Sequence, residues 1–109
     1  METKATLAAL AALAQESRLA VFRLLVQTGP TGLAASKISE NLDIPPSSLS
    51  FHLKELSNAG LLASRQDGRF VIYSANIDTM NGLIGFLTEN CCAGMPCDTA
   101  AGAACKPRE

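Results

Sequence analysis

Residues 47–61 read Ser-Ser-Leu-Ser-Phe-His-Leu-Lys-Glu-Leu-Ser-Asn-Ala-Gly-Leu, with Pro45-Pro46 shortly before and Gly60 near the end. Proline is well tolerated in the first turn of a helix, and glycine is favoured just past the last one. The stretch therefore predicts a helix over 46–59. At about 100° per residue, Leu49, Leu53, Leu56 and Gly60 share one side, which reads as the buried face. Ser47, Phe51, Lys54 and Asn58 share the other, with Ser50 on its edge. Small hydroxyls such as Ser47, Ser48 and Ser50 near a helix N-terminus suit DNA. They approach closely, exchange hydrogen bonds with base edges and phosphates, and sit in the partial positive charge of the helix end. Lys54 has the charge and reach for a phosphate. Phe51 fits either contact with a thymine methyl or packing on a neighbouring helix. His52 is the only histidine and lies beside the buried face. With no partner at ligand spacing, it reads as a structural or phosphate-contacting residue rather than a metal ligand or base.

Working outward, residues 5–15 predict a short Ala-rich helix on which Leu7, Leu10 and Leu13 recur every third position. Lys4 ahead of this apolar stretch resembles a signal peptide, but Glu2 offsets its charge and the leucine periodicity favours a helix of the fold. Ser17 is the expected N-cap of a second helix with Leu19, Phe22, Leu25 and Val26 as its stripe, broken by Gly29, Pro30 and Gly32. A third helix is expected over 35–42, carrying Ile38 and Leu42. Beyond Gly60, residues 62–66 and 69–74 read as strands joined at Asp67-Gly68, a strong hairpin signal. Arg65 and Arg69 flank this turn, where arginines clamp phosphates or enter a minor groove. A last helix is expected over 77–90, with Met80, Leu83, Ile84 and Leu87 on one stripe. The order helix, helix, helix, helix, hairpin, helix is that of a winged helix-turn-helix, a mainly α fold with a small β-hairpin.

Composition agrees. The chain has 109 residues, one domain's worth, with 48% apolar, 17% charged and 5% aromatic residues. That is too short for a TIM barrel, a kinase or a two-domain dehydrogenase. A net charge of −1 excludes binding to nucleic acid by bulk charge, so any such contact is a local patch. No apolar run approaches the roughly 20 residues needed to span a membrane.

All four cysteines, Cys91, Cys92, Cys97 and Cys105, fall in residues 91–109. A cluster in one tail does not staple distant parts of a fold, so a reduced, cytoplasmic thiol group is expected rather than a disulfide framework. Soft thiophilic centres prefer thiolate sulfur. Tetrathiolate zinc favours paired cysteines two to four residues apart, which the adjacent Cys91-Cys92 fits poorly. Redox sensing through a Cys91–Cys97 or Cys92–Cys97 disulfide is chemically open, as are cadmium binding and inert thiols.

The chain resembles the ArsR/SmtB family of metal-responsive repressors over residues 7–90. The marks are ALAQESRLAVFRLL at 12–25, SSLSFHLKELSNAGL at 47–61 and RQDGRFVIY at 65–73. The resemblance implies a homodimer through the first and last helices that binds double-stranded operator DNA and leaves it when an inducer binds. It implies a reading helix at 46–59 and a wing at 62–74. Gly82 and Gly85 fit close helix approach at such an interface. It also separates inducer sites. The Cys-x-Cys of arsenite sensors is absent from residues 37–42. The histidines of zinc sensors are absent from the last helix, where only Asp78 remains. What is left resembles members with a vicinal cysteine pair after the last helix and a third cysteine beyond: Cys91, Cys92 and Cys97, with Cys105 a possible further ligand. Trivalent arsenic or antimony is the inducer so implied.

The expectation is a DNA-binding and dimerisation domain at 1–90 and an inducer-binding tail at 91–109. Competing expectations are a redox- or zinc/cadmium-responsive repressor of the same fold, or a metalloid-scavenging thiol protein. An enzyme is not expected: the chain has one histidine, no Gly-rich phosphate loop and no Cys-x-x-Cys pair.

Overall fold

The computed structural model describes residues 1–90; the four cysteines and the predicted tail lie outside the described residues. The elements are α1 (Thr3–Leu13), α2 (Glu16–Thr28), β1 (Leu33–Ala34), α3 (Ala35–Leu42), α4 (Pro46–Asn58), β2 (Leu62–Asp67), β3 (Phe70–Ala75) and α5 (Ile77–Leu87). The strands form one antiparallel sheet in the order β1-β3-β2. This is a winged helix-turn-helix: α3 and α4 form the helix-turn-helix, and the β2–β3 hairpin is the wing.

The core gathers one face from each helix. Leu49, Leu53 and Leu56 of α4 are buried with Val21, Phe22 and Leu25 of α2, Ile38 of α3, Leu61, Leu62, and Leu83 of α5. Between α3 and α4 the chain turns through Asp43, whose left-handed φ of 55° caps α3. Asp tolerates that region better than most side chains. The Ile44 N–H and carbonyl both bond to Ser39, its backbone oxygen at 3.2 Å and its hydroxyl at 2.6 Å.

Several expectations change. The N-cap of α2 is Gln15, whose side chain accepts from the Arg18 N–H at 2.9 Å; Ser17 lies inside the helix. Arg18 Nε also donates to the Ala12 carbonyl at 2.7 Å, holding the end of α1 against α2. The inward face of α1 is Thr6, Ala9 and Ala12, whereas Leu7 and Leu10 are exposed. Small side chains allow α1 to lie close to the core, which turns the leucines outward. Leu19 of α2 and Ile84 and Leu87 of α5 are also exposed, so only part of each predicted stripe is core. The last helix is shorter than expected, ending at Leu87.

The two-residue strand β1 carried no periodicity to reveal it. It pairs with β3 through Leu33↔Tyr73 and Ala34↔Ile72. The hairpin turn sits one residue later than expected: Asp67 pairs with Phe70, leaving Gly68-Arg69 as the loop. Positive φ at Gly68 but not at Arg69 is the pattern of a type II′ turn, which suits strand twist.

Gly32 is where the loop after α2 meets the wing. Its φ is +68°, and a Cβ there would clash with the Tyr73 carbonyl oxygen and stand 2.8 Å from Ile72 Cγ2. Gly68 has a similar φ of +65° in open space. Urea denaturation is expected to show Gly32→Ala destabilised by about 3 kcal/mol or more, backbone strain plus overpacking. Gly68→Ala is expected to cost about 1–2 kcal/mol, the strain alone.

Candidate nucleic-acid interface

The candidate reading face is built on α4. Pro45 as N-cap and Pro46 at the first helical position leave the helix start without a side-chain cap. Its first-turn N–H groups therefore have no side-chain acceptor beside Ser47 and Ser48. Those two serines, Ser50, Phe51 and Lys54 are all exposed, while Leu49, Leu53 and Leu56 opposite them are buried. The wheel read from sequence holds in three dimensions because the leucine seat leaves α4 no rotational choice.

Phe51 is 55% exposed, so it does not pack into the protomer. Its aromatic partner is His52, edge-on with ring centroids 5.8 Å apart. His52 is half-buried, and its Nδ1 is buried with no hydrogen-bond partner among the described residues. Any contact it makes with DNA runs through Nε2.

On the wing, the two arginines separate. Arg69 occupies the turn, exposed, with no hydrogen bond or ion pair among the described residues. Arg65 is in mid-strand, and its guanidinium donates to the carbonyls of Thr31 at 2.9 Å and Pro30 at 3.4 Å. From residue 63 to Val71 the wing is exposed, including Phe70 at 59%. Phe70 stands in water because the tip has no core to pack against.

Among the described residues no group of three or more His, Cys, Asp or Glu is placed to hold a metal ion. No described helix is long and apolar enough to cross a membrane.

Residues 13–65 match a family model described as a helix-turn-helix domain. The chain is 39% identical over 77 residues to an uncharacterized HTH-type transcriptional regulator, YceK, of Bacillus subtilis strain 168, covering 70% of this chain and 76% of that one. It is 35% identical over 81 residues to the arsenical resistance operon repressor of the same organism, covering 74% and 73%. Among solved structures it superposes on an ArsR-like transcriptional regulator from Rhodococcus sp. RHA1 with a TM-score of 0.68, at 25% identity, over 77% and 76% of the two chains. The chain belongs to the ArsR family of winged helix-turn-helix regulators. The family is one of non-enzymatic, DNA-binding transcriptional regulators, and α4 is the second helix of the helix-turn-helix in this chain.

The two faces of this ArsR-family helix differ in what they support. Phe51→Ala is expected to change the unfolding free energy by less than about 0.5 kcal/mol, as for other exposed positions. Leu53→Ala, two residues away and buried, is expected to cost about 2–5 kcal/mol. Urea denaturation of the two variants checks the contrast.

Proposed function

We propose that the chain is a homodimeric repressor that leaves its operator when trivalent arsenic or antimony binds Cys91, Cys92 and Cys97. The observation that carries DNA recognition is the display of Ser47, Ser48, Ser50, Phe51 and Lys54 opposite the buried leucine face of α4. Serine hydroxyls and uncapped N–H groups meet phosphates and base edges, Phe51 meets a thymine methyl, and Lys54 meets a phosphate. His52 Nε2 adds a polar contact at the rim, and Arg69 at the wing tip reaches backbone or minor groove. Together they form a local basic patch on a chain of net charge −1.

Residues 1–90 serve as the DNA-binding and dimerisation unit and residues 91–109 as the inducer-binding tail. Dimerisation through α1 and α5 is supported by the large apolar side chains these two packed helices leave in water: Leu7, Leu10, Ile84 and Leu87. Nothing within 4 Å of an ideal Cβ at Gly85 leaves α5 open to a close partner there.

The arsenical assignment is supported by the donor set and by the relative that is an arsenical resistance operon repressor. Trivalent arsenic is soft and takes three sulfurs. Arsenite arrives neutral and loses water as each thiol binds, so no net charge is added. Occupation of the cysteines ties the tail to the end of α5 and biases the dimer toward a form whose two reading helices fit the operator badly. A hundredfold loss of DNA affinity requires about 2.7 kcal/mol of coupling. The gene so released would encode an arsenical efflux or modification protein.

Fluorescence anisotropy of the reduced protein on DNA from its own promoter tests this. Tight binding that disappears at stoichiometric arsenite is expected. Cys91→Ser, Cys92→Ser and Cys97→Ser are each expected to stay on the DNA at arsenite levels that release the wild type, and Cys105→Ser to behave nearly as wild type. Release by peroxide or zinc instead of arsenite would overturn the arsenical assignment and leave a repressor with another inducer.

A further inference from the structure

We propose that Arg65 is the joint that locks the wing to the body of the fold, a positioning residue for operator binding and not a phosphate contact. This rests on the operator-binding reading above. Arg65 lies on β2, paired across the hairpin with Ile72 of β3. Its guanidinium donates through Nη2 to the Thr31 carbonyl at 2.9 Å and through Nη1 to the Pro30 carbonyl at 3.4 Å, 34 and 35 residues back along the chain. Two donors of one planar fork thus meet two consecutive carbonyls. A lysine ammonium, a point charge on a flexible stem, does not reproduce that match.

The gripped segment is itself fixed to the wing from the other side. It leads into β1, which pairs with β3, and Gly32 brings its backbone against the Tyr73 carbonyl. The loop therefore lies between two attachments to the same hairpin: β1 on β3, and Arg65 reaching over from β2. Beyond Arg65 every residue from Gln66 to Val71 is exposed. The one side-chain hydrogen bond described in that stretch, Gln66 Nε2 to the Gly68 carbonyl at 3.4 Å, stays within the tip. Arg65 thus makes the last side-chain hydrogen bonds from the wing to the body among the described residues.

The position of Arg69 depends on that joint as a lever. Four residues of strand span about 13 Å, so a tilt of about 20° at Arg65 moves the Arg69 backbone by about 4.5 Å, more than the length of a hydrogen bond. A guanidinium already occupied by carbonyls aims the wing; the free guanidinium at the turn meets the DNA.

The test uses the full-length reduced protein on its own promoter DNA, without arsenite, by anisotropy across a salt series. The variants are Arg65→Gln, Arg65→Lys and Arg69→Gln. Both Arg65 variants are expected to bind about tenfold more weakly with the wild-type salt slope. Arg69→Gln is expected to lower the slope by about 0.9 for each phosphate that the arginine neutralises in the wild type. Amide hydrogen exchange of the free protein is expected to show faster exchange across the β2–β3 pairs in both Arg65 variants, with the rest of the fold unchanged. The joint is overturned if Arg65→Lys binds as wild type while Arg65→Gln shows a reduced salt slope, which would make Arg65 a phosphate contact. It is equally overturned if neither variant alters wing exchange. Wild-type protein that does not bind its promoter would sink the operator reading instead, while the exchange measurement still decides the joint.

Discussion

Burial of Leu49, Leu53 and Leu56 is the constraint on which the rest of the molecule depends. These side chains bring α4 against α2 and α3 and fix its rotation about its own axis. Each fully buried leucine is worth about 1.5–3 kcal/mol of transfer free energy, so a rotated helix that exposed all three would exceed much of a small domain's net stability. The serines, Phe51 and Lys54 are held outward by the same burial. Core packing and display of the exposed polar face are two sides of one helix.

The wing is built on a different principle. Its tip has no hydrophobic seat, and Phe70 and Val71 stand in water. Its base is held by Leu62 in the core, by Tyr73 and Ala75 packed against it, by the β1 pairing and close approach at Gly32, and by the Arg65 fork on the Pro30 and Thr31 carbonyls. Hydrogen bonds of this exposed kind contribute modestly, on the order of 1 kcal/mol each. An element anchored this way has a well-placed root and a free end. That suits the proposed contact of the wing with a deformable polyanion.

A third surface is neither core nor reading face. Leu7 and Leu10 on α1, Leu19 on α2, and Ile84 and Leu87 on α5 stay exposed in the single chain. Apolar residues left in water on neighbouring helices mark an interaction surface more than scattered ones do. The proposed dimer uses α1 and α5, and Cys91 lies four positions past Leu87, the last residue of α5. In that proposal an inducer bound by the cysteines acts through α5 on the spacing of the two reading helices.

Local pattern was enough to read α4, with its proline start, glycine stop and leucine face, and to read a hairpin around Gly68. It was enough because helix caps, turn glycines and 3.6-residue periodicity act within a few residues of themselves. The family followed from the same stretches. The sequence alone also placed four thiols together, since adjacency in the chain needs no fold. Tertiary structure decided which of two apolar faces each helix buries: on α1 the alanines rather than the leucines, because close approach favours the smaller side chains. It decided that Gln15 caps α2 instead of Ser17. It also revealed β1, whose two residues become a strand only by pairing with β3. And it told two similar arginines apart, because the carbonyls that occupy Arg65 lie more than thirty residues away in the chain and come within reach only when the loop after α2 folds against the wing.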